Sequence, residues 1–167
     1  PGSMSAGRVS FIGDLDVARF PHIETLVVLE GELILTVAGE APLVLGPKAG
    51  AVIGCGTTLH IQAASRTRFV FCAAACEKPT KRGVTALRAE ADFKPSNPPP
   101  AETLLGPTPQ CRSDNVFTDD GAQYLAGTWD STPYHRIVRA HGLNEFMVLL
   151  AGSVRFAAPD GSVLSAG

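Results

Sequence analysis

Two short stretches of the sequence place a histidine before a glutamate at even spacing. His22 stands two residues before Glu24, and His141 stands four residues before Glu145. Even spacing along a β-strand puts side chains on one face of the strand. Imidazole and carboxylate are donors that manganese, iron, nickel and zinc accept, but a metal site needs three or more well-placed ligands. The chemistry open to these residues is therefore metal binding, if further donors join them, or polar recognition in a pocket.

The composition limits the class of protein that must position these residues. Hydrophobic residues make up 45% of the 167 residues and charged residues 18%, with 17 glycines and 13 prolines. This excludes a disordered chain and disfavours a coiled coil. The net charge of -2 gives no sign of nucleic acid or anionic membrane as a partner, and no apolar run is long enough for a membrane span. We expect a cytoplasmic protein, because its four cysteines suit buried free thiols better than a zinc site.

Apolar runs and turn residues predict an all-β first half. Alternating or β-branched segments are separated by glycine and proline turns, without an amphipathic helix. A barrel or sandwich follows from this pattern. The predicted strands are Thr25–Leu29, Leu33–Val37, Leu43–Leu45, Val52–Ile53, Leu59–Gln62 and Arg68–Cys72.

A proline-rich stretch divides the chain. Lys94 to Gln110 contains six prolines, which exclude a helix interior or a central strand and favour an extended linker or strap. The strand pattern then returns at Phe146 to Leu150 and again from Val154. We therefore predict three segments, namely a barrel over 9–77, a linker over 78–110 and a second barrel over 111–167.

The two halves also resemble each other. Residues 24–31 align without a gap to residues 145–152, with Glu, Val, Leu and Gly at the same four positions. Both copies are followed by an alternating apolar segment and a turn. We interpret this as an internal duplication.

Three segments together resemble the cupin family. His141, Glu145 and Gly152 match the second half of the first cupin motif, and residues 45–56 resemble the turn–strand–turn of the second motif. Residues 126–133 resemble a motif of the branch that includes ethanolamine-utilisation-Q-like proteins and ureidoglycine aminohydrolases. The resemblance implies tandem RmlC-like jelly-roll barrels. The second barrel is expected to be incomplete in this sequence, because the chain reaches Gly167 where the first copy reaches only Gly46.

The cupin resemblance also implies where a metal would bind. Many cupins hold a divalent transition metal with two histidines and a glutamate of the first motif and a histidine of the second. In the first copy the three histidine positions fall on Ala18, Phe20 and Leu59, so we expect a degenerate, metal-free barrel. His60 is one residue beyond Leu59, and such a shift turns a strand side chain to the opposite face.

The second copy retains more of the implied ligands. His141 and Glu145 match the motif, whereas Arg139 stands where the other histidine is expected. His135 has the same parity and would serve as a third ligand or a general base. Manganese, iron, nickel or zinc would suit such a site.

Further residues are candidates for lining a pocket. Trp129 and Tyr134 would line it or would pack in a core. Arg139, if it faces inward, would bind a carboxylate, either that of Glu145 or that of a ligand. In the first copy the pocket candidates are His22 and Glu24.

Three functions remain open at this point. The first is a metal-independent small-molecule-binding or structural protein with degenerate sites. The second is a metal-dependent enzyme that acts in the second barrel on a small polar substrate bearing an amide or a carboxylate. The third is a regulatory or assembly module. A homodimer is expected in each case, because barrel edges often pair in cupins.

Overall fold

The structure is a computed structural model, which describes residues 4–88, 92–140, 142–158 and 160–166. Within those ranges the chain forms β-strands and one short 3-10 turn at Ala101–Thr103, without an α-helix. The predicted all-β fold is confirmed. The strands are β1 Met4–Val17, β2 Ile23–Glu30, β3 Leu33–Val37, β4 Leu43–Leu45, β5 Gly50–Ile53, β6 Leu59–Ala74, β7 Val84–Leu87, β8 Lys94–Ser96, β9 Cys111–Asp119, β10 Tyr124–Ser131, β11 Val154–Ala157 and β12 Val163–Ala166.

Contacts group the chain into two compact units. The first contains the residues up to 92 together with 114–128, and the second contains 93–113 and the residues from 129 onwards. The predicted boundaries at 9–77, 78–110 and 111–167 stay a prediction.

The first unit is a nearly closed barrel built around β6. The strand order is β4-β3-β6-β2-β5-β7, and β1 pairs with the other edge of β6. The early part of β6 pairs with β3 and its later part with β2, so the sheet branches there and curls around its inner face. Sequence patterns predicted two strands where β6 is one, and they missed β1.

Two β-bulges interrupt the pairing along the same part of β6. Between Phe11 and Gly13 of β1 the pairing moves from Thr67 to Ala63, so the extra residues are on β6. Between Val28 and Glu30 the extra residue is on β2. Gly13 has a φ of 103°, which a glycine adopts without strain. Bulges bend a strand and redirect side chains, so the outer surface of the barrel is uneven here.

Alternation along β2 separates two apolar cores. Leu26 and Val28 point into the barrel, whereas Ile23 points to its outer face. Full burial of each aliphatic side chain stabilises the folded state by about 1.5–3 kcal/mol relative to leaving that side chain exposed. The barrel core consists of Phe20, Leu26, Val28, Leu33, Leu35, Leu45, Ala51, Ile53, Leu59, Ala63 and Phe69.

The second core lies outside the barrel, under the β9–β10 hairpin. Phe117 of the hairpin is fully buried there with Ile23 and Val52. Tyr124 shares a 2.7 Å hydrogen bond with the Thr25 hydroxyl, which fixes the hairpin against β2. The segment 114–128 is therefore part of the first unit.

A buried carboxylate holds the hairpin turn. Asp119 accepts hydrogen bonds from the backbone N–H groups of Thr80, Lys81 and Ala122, at 2.9, 3.0 and 3.1 Å. Burial acts to raise the pKa of Asp119, but the backbone donors outweigh it and hold the pKa below its usual value. The charge is thus stabilised by the segment that follows the barrel.

The second unit contains short sheets. β8 pairs with β9 and carries Pro95 at the edge of its sheet, where a missing N–H is tolerated. β11 and β12 form an antiparallel hairpin. The predicted strand over Phe146–Leu150 is wrong, because these residues form no strand. Met147 is 44% exposed, and no neighbouring strand among the described residues pairs with this segment.

Candidate functional site

His22 and Glu24 lie together at one end of the barrel. Glu24 is on β2, on the same face as Leu26, and its carboxylate accepts a 2.9 Å hydrogen bond from the His22 imidazole. The glutamate side chain is 13% exposed and the histidine 32%. Phe20 packs against the imidazole edge to face, with ring centroids 4.9 Å apart. The pair is therefore a polar site surrounded by apolar side chains of the barrel.

The neighbours of this pair do not complete a metal site. Ile53 and Ala73 flank Glu24 on the adjacent strands. Phe20 and Leu59, which stand at expected histidine positions, are buried in the barrel core. Across the described ranges, no group of three or more His, Cys, Asp or Glu side chains is arranged to hold a metal ion. The donor set of the first barrel therefore does not fit the metal that the cupin resemblance implies.

The barrel interior is occupied by apolar side chains. Phe69 and Leu35 are among the buried residues, and Phe11, Ile61 and Phe71 pack against them from the wall. A barrel of this size has an interior that side chains can fill, and these side chains fill it. The inside of the first barrel is thus a packed core.

The cysteines near the pair are poorly reactive. Burial, and secondarily the charge of Glu24, raises the pKa of the Cys72 thiol. Burial and the neighbouring Cys55 thiol raise the pKa of Cys76 to about 11. Cys55 itself is buried and points at the carbonyl oxygens of Pro21 and Cys76, at 3.7 and 3.8 Å. Nucleophilic chemistry needs the thiolate, which the raised pKa values of Cys72 and Cys76 disfavour.

His60 lies on the outer surface, whereas the adjacent Leu59 is buried. Its two ring nitrogens contact Asp16 at 2.8 Å and Asp14 at 3.3 Å. The hydrogen bond to Asp16 is the main cause that raises the pKa of His60. Sequence reasoning missed both aspartates, because they lie on the unpredicted β1.

The second-unit candidates lie at the surface. Trp129 is 49% exposed, and Tyr134, His135, Arg139 and Glu145 are exposed as well. His141, the other predicted metal ligand, lies outside the described residues. The structure does not bury these side chains in a common pocket, and their predicted roles stay predictions.

An unpredicted ion pair joins Asp130 of the 126–133 motif to Arg112 of β9. Arg112 donates to both carboxylate oxygens of Asp130, at 3.0 and 2.5 Å, and lines a depression of about 220 Å³ with Gln110, Ser131 and Thr132. The hydrogen bond from Arg112 is the main cause that lowers the pKa of Asp130. This pair spans neighbouring strands β9 and β10, so no sequence spacing could have revealed it.

The branched all-β sheet, curled around an apolar core, defines a cupin-type jelly-roll barrel. The crystal structure of a protein of unknown function from Pseudomonas syringae pv. tomato DC3000, assigned to the DUF861 family, superposes with a TM-score of 0.92. The match has 39% sequence identity and covers 97% of this chain and 69% of that one. This chain belongs to the DUF861 family.

Two further crystal structures resemble the chain more loosely. A provisionally named ethanolamine utilization protein Q from Salmonella typhimurium LT2 has 24% identity and a TM-score of 0.40, over 44% of this chain and 58% of that chain. A provisionally named glyoxylate-induced protein from Pseudomonas aeruginosa has 20% identity and a TM-score of 0.47, over 71% and 45%. Likeness at this level supports no conclusion about this chain.

Three other observations bear on identity. No family model matches the sequence. No curated protein matches it either. Among the described residues, no helix has the length and apolar character to cross a membrane.

Proposed function

We propose that this chain is a metal-independent cupin-type protein whose first barrel is a structural scaffold with a degenerate site. The observation that carries the proposal is the donor set at the barrel end, where His22 and Glu24 pair with each other among apolar side chains. Two ligands hold a transition metal weakly. The packed interior also supports a scaffold role, because it is filled by the chain's own side chains.

We also propose that the second unit is a degenerate copy of the first. Gly31 and Gly152, which align in sequence, both have a positive φ, of 84° and 77°. A strand begins two residues after each glycine, and an antiparallel hairpin follows in each unit, β3–β4 in one and β11–β12 in the other. Duplication explains why the same turn precedes the same hairpin.

Metal analysis of the purified chain tests the proposal. The protein is incubated separately with manganese, iron(II), nickel and zinc salts, desalted, and measured by elemental analysis. We expect far less than one metal ion per chain, and the same value for His22→Ala. One tightly held ion per chain would overturn the proposal.

The His141→Ala variant shows whether any bound metal belongs to the second unit, as the metal-dependent alternative requires, or to the first barrel. If the natural chain held one ion and His141→Ala lost it, the metal would belong to the second unit, as the enzyme hypothesis predicts. If His22→Ala lost it instead, the first barrel would be a working metal site. Either result would reject the metal-independent reading and identify the barrel that binds.

An assembly role is the second candidate, and the free edge of the barrel favours it. β1 pairs with β6 along one side, and no described strand pairs with its other side. An open strand edge is a template for pairing with another chain. We propose a homodimer that uses this edge, and light scattering that finds only monomer would contradict it.

A further inference from the structure

A depression of about 430 Å³ lies on the outer surface of the first unit, across β1, β6 and β2. It lies beside the β2 bulge, where Leu29 is 45% exposed. It shares no side chain with the His22–Glu24 pair. The depression is therefore separate from the His22–Glu24 pair.

Strand register brings two arginines and a hydroxyl to one face of the sheet. Ser10 on β1 is the direct partner of Arg68 on β6, and Arg68 is in turn the partner of Glu30 on β2. Arg8 is two residues before Ser10, so it lies on the same face and diagonally from Arg68. Diagonal neighbours are about 7–8 Å apart at the backbone, within reach of long side chains.

The charges in the depression leave one positive charge without a partner. The Arg68 guanidinium contacts the Glu30 carboxylate at 3.2 Å, and both side chains are more than half exposed. Arg8 forms no ion pair with a carboxylate of the described residues. Two guanidinium groups and one carboxylate leave a net charge of one, which a monoanion would balance.

Apolar side chains provide the rest of the lining. Leu29 presents exposed aliphatic surface, and Phe69 and Val9 form part of the wall. Guanidinium groups match the planar geometry of a carboxylate, and apolar walls suit a carbon body. A fully hydrated inorganic anion would use the charges but not the apolar wall.

We propose that this depression binds a small organic monocarboxylate. Arg8 and Arg68 donate to the carboxylate, the Ser10 hydroxyl donates a further hydrogen bond, and the carbon body rests on Leu29. Glu30 competes with the ligand for Arg68. The proposal is independent of whether either barrel holds a metal.

Calorimetric titration at low salt tests this site with benzoate as the probe. Benzamide serves as the neutral analogue of the same shape, and inorganic phosphate as an anion without a carbon body. We expect saturable binding of benzoate, little or none of benzamide, and weaker binding of phosphate. Raising the salt concentration should weaken benzoate binding, because both arginines are exposed.

Three variants make the test specific. Arg8→Gln should weaken benzoate binding about tenfold, since a charge-assisted hydrogen bond contributes at least that factor. Glu30→Gln should strengthen it several-fold, because it releases Arg68 from its competitor. Arg19→Gln removes an exposed arginine outside the depression and should leave binding unchanged. All three side chains are exposed, so the variants should fold, and circular dichroism checks this.

The outcome with Glu30→Gln is the most discriminating. A gain in affinity supports competition at Arg68, which a merely structural ion pair would not produce. Equal binding of benzoate and benzamide would overturn the proposal. So would unchanged affinity in both Arg8→Gln and Glu30→Gln, or phosphate binding that is tighter than benzoate binding.

Discussion

Phe117 of β9 is the largest fully buried side chain among the described residues. Its ring is fully buried with Ile23 and Val52, and it meets the Tyr124 ring edge to face at 6.2 Å. The Lys81 ammonium lies 4.7 Å from the ring centroid. Replacement by alanine would remove these contacts and leave a cavity between the hairpin and the barrel wall.

The expected cost can be estimated from these contacts. Truncation of a buried phenylalanine to alanine costs about 3–5 kcal/mol in the free energy of unfolding. The aromatic pair and the cation–π contact belong to this sum, at roughly 0.5–1.5 and about 0.5–1 kcal/mol. With a urea dependence of about 2 kcal/mol per molar, the midpoint of unfolding should fall by about 1.5–2.5 M.

Urea unfolding followed by circular dichroism measures this change. Leu125→Ala is the matched control, since Leu125 lies in the same hairpin but is 60% exposed. It should change the free energy by less than about 0.5 kcal/mol. A cost for Phe117→Ala below about 1 kcal/mol, or a cost equal to that of Leu125→Ala, would refute the view that the hairpin is fixed through this ring.

Three other predictions concern the same unit. The pKa of Asp119 is lowered in the folded state, so its contribution to stability is complete above the unfolded value of about 3.9. That contribution is lost as the pH falls through the folded pKa, and Asp119→Asn should weaken this part of the acid dependence in urea titrations. Gly31→Ala should lower the thermal stability of the protein more than Gly39→Ala does. Both glycines have a φ of 84°, but of the two only Gly31 would place an added Cβ in a clash. Equal melting temperatures for the two variants would show that the clash is unimportant. Cys76 is partly buried and has a pKa of about 11, so it should react with a thiol reagent at pH 8 far more slowly than free cysteine does. Equal rates would contradict the raised pKa.

Period-2 alternation and short apolar runs predicted several strands of the barrel wall. β2, β3 and β4 alternate or carry β-branched residues, and their predicted positions lie within two residues of the observed strands. The same parity argument anticipated that Leu59 faces inward, and the structure has it buried, with His60 on the opposite face. Local patterns suffice here because β3 alternates between an apolar and a more polar face, whereas β2 is buried on both faces and is therefore a continuous apolar run.

The remaining features depend on pairings between distant segments. β1 was missed because it alternates weakly, with glycine and aspartate among its residues, and only β6 stabilises it as a strand. The run Phe146–Leu150 was predicted as a strand because it is apolar, yet it pairs with no described strand. The Arg8–Arg68 depression and the contacts of His60 both follow from β1–β6 register, which no motif encodes.

The central place of β6 has a consequence for how the chain folds. Its pairing with β1 joins Met4 to Ala74, so the first strand of the chain finds its partner only after most of the barrel has been made. At about 5–20 residues per second, β1 waits seconds on the ribosome before β6 emerges. Such high contact order favours folding in milliseconds to seconds rather than microseconds. During that interval β1 is unpaired, and the charges of Arg8, Asp14 and Asp16 disfavour its aggregation with other unfolded chains.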